Sequence, residues 1–335
     1  MARTLCLVAL LVAVVSALPA DPVIRKLDDG PRYQYAEASD GSIHLSDMWA
    51  KASNYAETRD YNADALNSYH LFTRENPSVS QILRVNDDES ALNSNFNPQH
   101  RTRLIIHGWL DNAVAPMVTN LVPAFLYAAD ENVIVVDWSP GSTTLLYTSA
   151  VLNNPSSASA VAKFVTWLNE ATGARVDDYH IIGHGLGAHQ AAMVGRHLLS
   201  RPFYITALDA SLAGYIINDD KFSKNAGAYT ESIHTNAGVD GYLTENADVD
   251  FYPNGGISMP GCASGACDHA RSFFYFSESI YGGNFVGQRC ATYIGAMSGN
   301  CYLWGTLKMG GIEAKPGESG IYHFSTNAFP PFAKG

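Results

Sequence analysis

The sequence predicts an α/β fold with a mostly parallel central sheet and helices on both of its faces. Apolar residues make up 47% of the 335-residue chain, which is ordinary for a globular protein with a sizeable core. Short β-branched runs alternate with helical segments of about a dozen residues, a pattern typical of parallel sheets covered on both faces. One of these strands leads through a glycine-rich turn directly into a helix. We therefore expect a working edge at the carboxyl ends of the strands.

The predicted elements follow one another along residues 61–335, where we see no internal repeat and no linker, so we expect a single domain. Strands are predicted at residues 68–73, 80–85, 103–107, 132–137, 180–182 and 204–208, and the last strand is expected at 249–252. Helices are predicted at residues 117–129, 157–169 and 188–199. The aromatic run 273–276 is interpreted as a buried helix face rather than a lipid patch.

The first 60 residues are expected to lie outside this domain. Residues 1–17 combine a positive charge at Arg3, an apolar run over residues 5–15 and the small residue Ala17, which together predict a secretory signal peptide. The alternative is a membrane anchor, but the apolar run is too short to span a bilayer. Residues 18–60 are polar without a clear period, and are expected to form an irregular N-terminal leader. We expect a secreted, extracellular protein without a transmembrane segment.

The charge balance bears on the partners of the protein. Of 21 basic and 32 acidic side chains, the signal peptide removes only Arg3, which leaves a net charge of 20 − 32 = −12. An acidic surface repels phosphate backbones, so nucleic acid is not an expected partner.

Four cysteines remain in the mature chain, an even number that indicates disulfides in a secreted protein. Three pairings of Cys262, Cys267, Cys290 and Cys301 are possible, and proximity favours Cys262 with Cys267 and Cys290 with Cys301. A zinc site is the rival interpretation, but the C-x4-C and C-x10-C spacings do not match zinc ribbons well. We expect no metal and no cofactor.

The glycine turn has the form of a nucleophile elbow that lacks its nucleophile. An α/β-hydrolase presents its serine in the sequence G-x-S-x-G between a strand and a helix. Residues 183–187 here read Gly-His-Gly-Leu-Gly, so Gly185 occupies the central position. In the chain order of that fold, Asp209 is the candidate acid and His269 the candidate base. The candidate oxyanion donors are the backbone N–H groups of Trp109 and Leu186.

Several motifs, in order over roughly residues 65–335, resemble the secreted pancreatic-type lipase family, which includes neutral lipases, phospholipases A1 and insect yolk proteins. They are Ile105-Ile-His-Gly-Trp109, Val135-Val-Asp-Trp138, Ile182-Gly-His184, Leu186-Gly-Ala-His189, Leu208-Asp209, Ile233-His-Thr235, Val249-Asp-Phe-Tyr-Pro-Asn-Gly-Gly256, Pro260-Gly-Cys262 and Cys267-Asp-His-Ala-Arg-Ser272. The resemblance implies an α/β-hydrolase fold in a single lipase domain. It also assigns the triad acid to Asp209 and the base to His269.

The sequence departs from that family at the site itself. Gly185 replaces the nucleophilic serine, and Leu208-Asp-Ala-Ser211 replaces Leu-Asp-Pro-Ala. The lid between the first two cysteines shrinks to residues 263–266, as in the phospholipases A1, which leaves the mouth of the site uncovered. Ser211, Ser264 and Ser272 are the nearby hydroxyls that could replace the nucleophile, and direct attack by water with His269 as base is a slow alternative.

Other interpretations of the elbow are weaker. Residues 183–188 also fit the dinucleotide fingerprint G-x-G-x-x-A, but that motif normally lies in the first βαβ unit, whereas several strands precede it here. His184 and His189 are expected to pack the elbow rather than bind a ligand, and His107 to support the oxyanion loop. Asp209 and His269 could persist only because they hydrogen-bond each other and hold two loops.

Two functional hypotheses follow. The first is a secreted, non-catalytic lipase homologue that acts as a yolk or storage protein or as a lipid-binding protein, with an uptake receptor as a further candidate partner. The second is an active triacylglycerol lipase or phospholipase A1 that uses a non-standard nucleophile. Under both, the expected ligand is a lipid or acyl ester in an open cleft.

Overall fold

A computed structural model describes the backbone of residues 33–37 and 43–47, together with residues 61–144 and 146–335. The predicted signal peptide lies outside the described residues. Two strands, β1 (Tyr33–Glu37) and β2 (Ile43–Asp47), pair antiparallel within the predicted leader. The expectation of an irregular segment is therefore wrong for these ten residues. Ile43-His-Leu-Ser-Asp47 alternates apolar and polar residues, the period of a strand, and this signal was available in the sequence.

The described residues beyond β2 form eleven further strands and eight α-helices. The strands are β3 (Ser68–Phe72), β4 (Gln81–Leu83), β5 (Thr102–Ile106), β6 (Asn132–Asp137), β7 (Tyr179–His184), β8 (Tyr204–Leu208), β9 (Tyr229–Ile233), β10 (Val249–Pro253), β11 (Val286–Cys290), β12 (Thr306–Lys308) and β13 (Gly320–Phe324). The helices are α1 (Ala63–Leu66), α2 (Asp88–Leu92), α3 (Pro116–Ala128), α4 (Ser139–Ser142), α5 (Tyr147–Thr172), α6 (Leu186–His197), α7 (Gly265–Ile280) and α8 (Tyr293–Met297).

Eleven strands form one sheet in the order β12-β11-β13-β10-β9-β8-β7-β5-β6-β3-β4. The neighbours from β13 to β6 are all parallel. The strands added at either edge, β3 and β4 on one side and β11 and β12 on the other, pair antiparallel. The prediction of a mostly parallel sheet is confirmed.

The central strands are buried on both sides, because helices cover both faces of the sheet. Leu104 and Ile106 of β5 join a buried cluster with residues of α5 and α6, whereas Ile105 between them joins a second cluster with residues of α3 and α7. The aromatic run 273–276 belongs to this second cluster through Phe273, Tyr275 and Phe276. It therefore lies in the core, as predicted.

The two largest differences from the prediction concern the helix before the elbow and the last strand. The helix expected at 157–169 begins ten residues earlier, at Tyr147, and runs through Pro155. Tyr147, Asn153 and Asn154 are all buried, so tertiary contacts offset the cost of an internal proline. The strand at 249–252 is not the last, since β13 pairs with it in parallel. Strand β13 was not predicted, because it begins with a glycine and several of its residues are half-exposed, so its sequence lacks the pattern of a buried strand.

Both predicted disulfides are present, Cys262 with Cys267 and Cys290 with Cys301, so these four thiols are not zinc ligands. None of the helices in the described residues has the length and hydropathy of a transmembrane segment. The carboxyl ends of β5, β7 and β8 meet at one edge of the sheet, because these strands are parallel neighbours. The residues that follow them therefore lie close together.

Candidate functional site

Gly185 lies at the apex of the turn between β7 and α6, with φ 57° and ψ −118°. Its N–H donates to the Leu208 carbonyl (3.1 Å), and its own carbonyl accepts from the Ser211 N–H (3.2 Å). A residue with a side chain adopts this backbone conformation only with strain of about 1–3 kcal/mol. The turn therefore keeps the backbone conformation of an elbow, which glycine adopts without a steric penalty, but it presents no side chain.

A close approach between two backbones places the oxyanion loop beside the elbow. A Cβ on Gly187 would lie 2.2 Å from the Ile106 carbonyl oxygen, so only glycine lets α6 begin against the end of β5. Leu186 is the first residue of α6, and the helical hydrogen-bond pattern supplies no partner for its N–H. In the loop after β5, the Trp109 indole donates to the Thr144 carbonyl (3.1 Å). The role of Leu186 and Trp109 as oxyanion donors stays a prediction.

Asp209 and His269 are brought together although 60 residues separate them. The imidazole Nδ1–H donates to Oδ2 of Asp209 at 2.6 Å. The other carboxylate oxygen, Oδ1, accepts from the backbone N–H groups of Thr235 (2.8 Å) and Asn236 (3.0 Å). Asp209 is fully buried, whereas 18% of the His269 side chain is exposed. The carboxylate thus fixes the tautomer of an imidazole that solvent can reach.

Electrostatics favour a proton on His269. Burial by itself lowers the pKa of this imidazole, but the hydrogen bond and charge of Asp209, together with the charges of Asp240 and Asp111, raise it above its usual value of 6.5. The neighbouring His184 has its pKa lowered well below that value, first by burial and then by the charge of His269. His269 is therefore the imidazole of this pair that takes up a proton more readily.

The imidazole of His269, the candidate base, borders the space next to Gly185. A Cβ at this position would lie 3.0 Å from Nε2 of His269 and 3.4 Å from Oγ of Ser211. Of the three serines considered as replacements, Ser211 is the one whose hydroxyl borders this space. Ser264 instead caps α7 by accepting from the Cys267 N–H, and Ser272 donates to the His269 carbonyl at 2.8 Å.

The other histidines of the motif have packing contacts. The His184 ring lies 4.2 Å from the His269 ring between centroids, and its Nε2 is 3.3 Å from the His269 carbonyl. His189 stacks on Tyr215 and contacts the Ser211 carbonyl at 2.7 Å. His107 accepts from the Trp138 N–H at the base of the oxyanion loop. Among the described residues, no cluster of three or more histidine, cysteine or acidic side chains could hold a metal ion.

Exposed apolar side chains occur in loops at the same edge of the sheet. Val114 follows β5, Leu146 follows β6, Ile217 follows β8 and Phe329 follows β13, and all four are exposed. Parallel strands place these loops at one edge, so we call them the apolar rim. Sequence reasoning missed this rim, because isolated surface residues carry no periodic signal. It also missed the Asn236 N–H, although the Ile233-His-Thr235 motif pointed to that loop.

The parallel sheet, the strand–turn–helix elbow and the Asp209–His269 pair define an α/β-hydrolase. A model of the Lipase family matches residues 46–315, and the chain belongs to this family. The predicted resemblance to pancreatic-type lipases is therefore confirmed.

Three relatives are named for lipases. Pancreatic lipase-related protein 2 of Homo sapiens is 32% identical over 262 residues, which are 69% of this chain and 55% of the relative. Lipase member H-A of Xenopus laevis is 34% identical over 245 residues, 69% of this chain and 52% of the relative. Pancreatic triacylglycerol lipase of Myocastor coypus is 32% identical over 261 residues, 69% of this chain and 56% of the relative. The chain thus spans about half the length of these relatives.

Proposed function

We propose that this protein is a secreted, non-catalytic member of the lipase family that binds lipid, as a carrier or as a yolk or storage protein. The observation that carries the proposal is Gly185 at the apex of the elbow, where a hydrolase presents its nucleophile. Removing a catalytic serine typically costs about a million-fold in turnover, and leaves about a thousand-fold over water from the oxyanion hole and binding. Such a residual rate does not support a digestive role.

Lipid binding is supported by the surroundings of the site. The lid between Cys262 and Cys267 has only four residues, so the mouth lacks the long cover of the typical lipases. The apolar rim adds exposed Val, Leu, Ile and Phe side chains at that edge of the sheet. Burial of these side chains against acyl chains would stabilise a bound lipid. Secretion is supported by the predicted signal peptide and by the two disulfides.

Native mass spectrometry of the protein purified from its source tests this proposal. A bound lipid that survives purification and is released on denaturation is the expected result. Protein that carries no lipid, and that takes up none when it is mixed with a lipid extract, would contradict a lipid-binding function.

A second candidate, an active ester hydrolase, is favoured by one observation. The Ser211 hydroxyl borders the space beside Nε2 of His269, at 3.4 Å from the Cβ position of Gly185. Ser211 lies after β8 rather than on the elbow, so its hydroxyl does not share the position of Gly185 next to the Leu186 N–H. Turnover measurements separate the two candidates.

A further inference from the structure

We propose that three exposed side chains beside β12 form a docking surface for a phospholipid membrane. Tyr302, Leu303 and Trp304 lie in the loop between α8 and β12, and their exposed fractions are 85%, 44% and 98%. We call residues 302–304 the aromatic loop. The inference goes beyond the proposed function, because it concerns the outer surface of the protein and not a lipid held near the elbow.

The aromatic loop is separate from the candidate site. It is hydrogen-bonded to β11, which lies five strands away from β7 in the order of the sheet. At the usual spacing of neighbouring strands, five steps correspond to about 24 Å. A lipid surface that touches the aromatic loop is therefore not a ligand of the elbow.

The aromatic loop is held in a fixed shape. A disulfide joins Cys301, the residue before the loop, to Cys290 at the end of β11. The Gln288 side chain of β11 donates to the Leu303 carbonyl and to the Gly305 carbonyl. Since these contacts order the loop in advance, contact with a surface costs it little further conformational entropy.

The exposed side chains suit the boundary between water and hydrocarbon. Tyrosine and tryptophan each combine an apolar ring with a polar group, and both are enriched at membrane–water interfaces. Trp304 is almost fully exposed, so its ring projects from the surface. A projecting ring needs a matching pocket in a protein partner, whereas a fluid lipid surface adapts to its shape. The membrane is therefore the occupant that this arrangement favours.

The charge of this part of the chain permits such an approach. The chain carries 32 acidic side chains, yet none occurs in residues 279–312, where the charged residues are Arg289 and Lys308. Lys308 is exposed and lies on the same face of β12 as Thr306, which lines the groove beside the aromatic loop. Anionic lipids attract this lysine within a Debye length and repel the acidic remainder of the protein, so this surface should face the membrane.

A second copy of the chain is a less favourable occupant. A twofold contact brings the same patch of both copies together, and would place two Lys308 side chains close to each other. Residues 279–312 contain no acidic side chain to pair with them. Strand β12 also has only three residues and ends in this lysine, and both features disfavour pairing between edge strands.

Cosedimentation of the full-length protein with lipid vesicles tests the proposal. The protein should bind vesicles of phosphatidylcholine, and should bind more tightly when they also contain phosphatidylserine. Trp304→Ser should weaken binding to both kinds of vesicle by about tenfold, because its ring no longer leaves water, and Tyr302→Ser should weaken it less. Lys308→Gln should weaken binding by about fivefold on the vesicles with phosphatidylserine, and leave binding to phosphatidylcholine unchanged.

Tyr127→Ser is the matched control, since Tyr127 is a tyrosine of α3 that is also 71% exposed. It should bind vesicles like the parent protein, and thermal melting of each variant checks that it is folded. No vesicle binding by the parent protein would overturn the proposal. So would equal losses in Tyr127→Ser and Trp304→Ser.

Two further outcomes would reassign the surfaces. Loss of vesicle binding in Phe329→Ser but not in Trp304→Ser would place the contact at the apolar rim and overturn the docking role of the aromatic loop. A sedimentation coefficient of the protein alone that falls in Trp304→Ser would show a second copy as the occupant, and would overturn it as well. Native mass spectrometry of Trp304→Ser should still find the lipid of the parent protein, so failure of this proposal is distinguishable from failure of the proposed function.

Discussion

At the scale of single residues, the site consists of retained partners around a missing group. Gly185 still has the positive φ of an elbow, and His269 still donates to a buried Asp209 that two backbone N–H groups hold in place. The position of the missing Cβ, 3.0 Å from Nε2 of His269, leaves a restored hydroxyl within reach of the base. The chemistry is therefore expected to depend on one side chain.

We predict that Gly185→Ser gains measurable esterase activity on short acyl esters. Its hydroxyl would meet the imidazole, and the Leu186 N–H would stabilise the oxyanion formed from the ester, which together promote acyl transfer. The rate should rise by about a hundredfold over the parent protein, well below the million-fold scale of a complete triad, because a Cβ at 3.0 Å from Nε2 is tight. Strain at the positive φ should cost about 1–3 kcal/mol of stability, seen as a lower melting temperature.

Gly185→Ala is the matched control for this change, since it adds the same Cβ and the same backbone strain without the hydroxyl. A folded Gly185→Ser variant with no more activity than Gly185→Ala would show that the site has lost its catalytic geometry.

At the scale of elements, α5 holds the elbow helix in place through a buried amide. Asn154, on the turn of α5 that contains Pro155, donates to the Leu186 carbonyl (3.0 Å) and to the Tyr215 hydroxyl (2.7 Å). Its own carbonyl accepts from Gln190 of α6 at 2.8 Å. This network connects α5 to α6 on one face of the sheet, and one of its hydrogen bonds reaches Leu186, the first residue of α6.

We predict that Asn154→Ala lowers the free energy of unfolding by about 3 kcal/mol, because three buried polar partners lose a hydrogen bond. Asn153→Ala is the matched control, since the neighbouring amide is also buried but makes a single bond, to the Gly141 carbonyl (2.9 Å). It should cost about 1 kcal/mol. Chemical denaturation measures both values, and equal losses would contradict the role of the Asn154 network in holding α6.

Elements could be predicted from the sequence where burial is uniform. Strands β6 and β8 begin and end at the predicted residues, because every position but Asp137 is buried. Strand β9 was not predicted, since it carries Glu231 in the middle of the sheet. That carboxylate accepts from Tyr229 (2.8 Å), from the Gly310 N–H (2.6 Å) and from Lys315 (2.5 Å). Partners about 80 residues away along the chain are invisible to local patterns.

The candidate site, too, could be predicted only where the sequence carries a signal. The chain order of the motifs was enough to pair Asp209 with His269 in advance, because parallel strands bring their carboxyl ends together. The place of Ser211 beside the imidazole could not be predicted, since it depends on the path of the loop after β8.

At the scale of the whole molecule, a lipase scaffold is assembled around a turn that cannot attack an ester. The parallel sheet, the two disulfides and the uncovered mouth give a ligand access to His269, while the acidic chain has a net charge of −11. Under the proposed function, this scaffold holds a lipid rather than cleaving it. The central claim is that no serine of this protein forms an acyl intermediate.

The most direct measurement is the intact mass of the protein after treatment with a fluorophosphonate, together with its turnover of short acyl esters and phosphatidylcholine. We predict an unchanged mass and no turnover above background. A covalent adduct mapped to Ser211 or to any other serine, or hydrolysis that His269→Ala abolishes, would contradict the account.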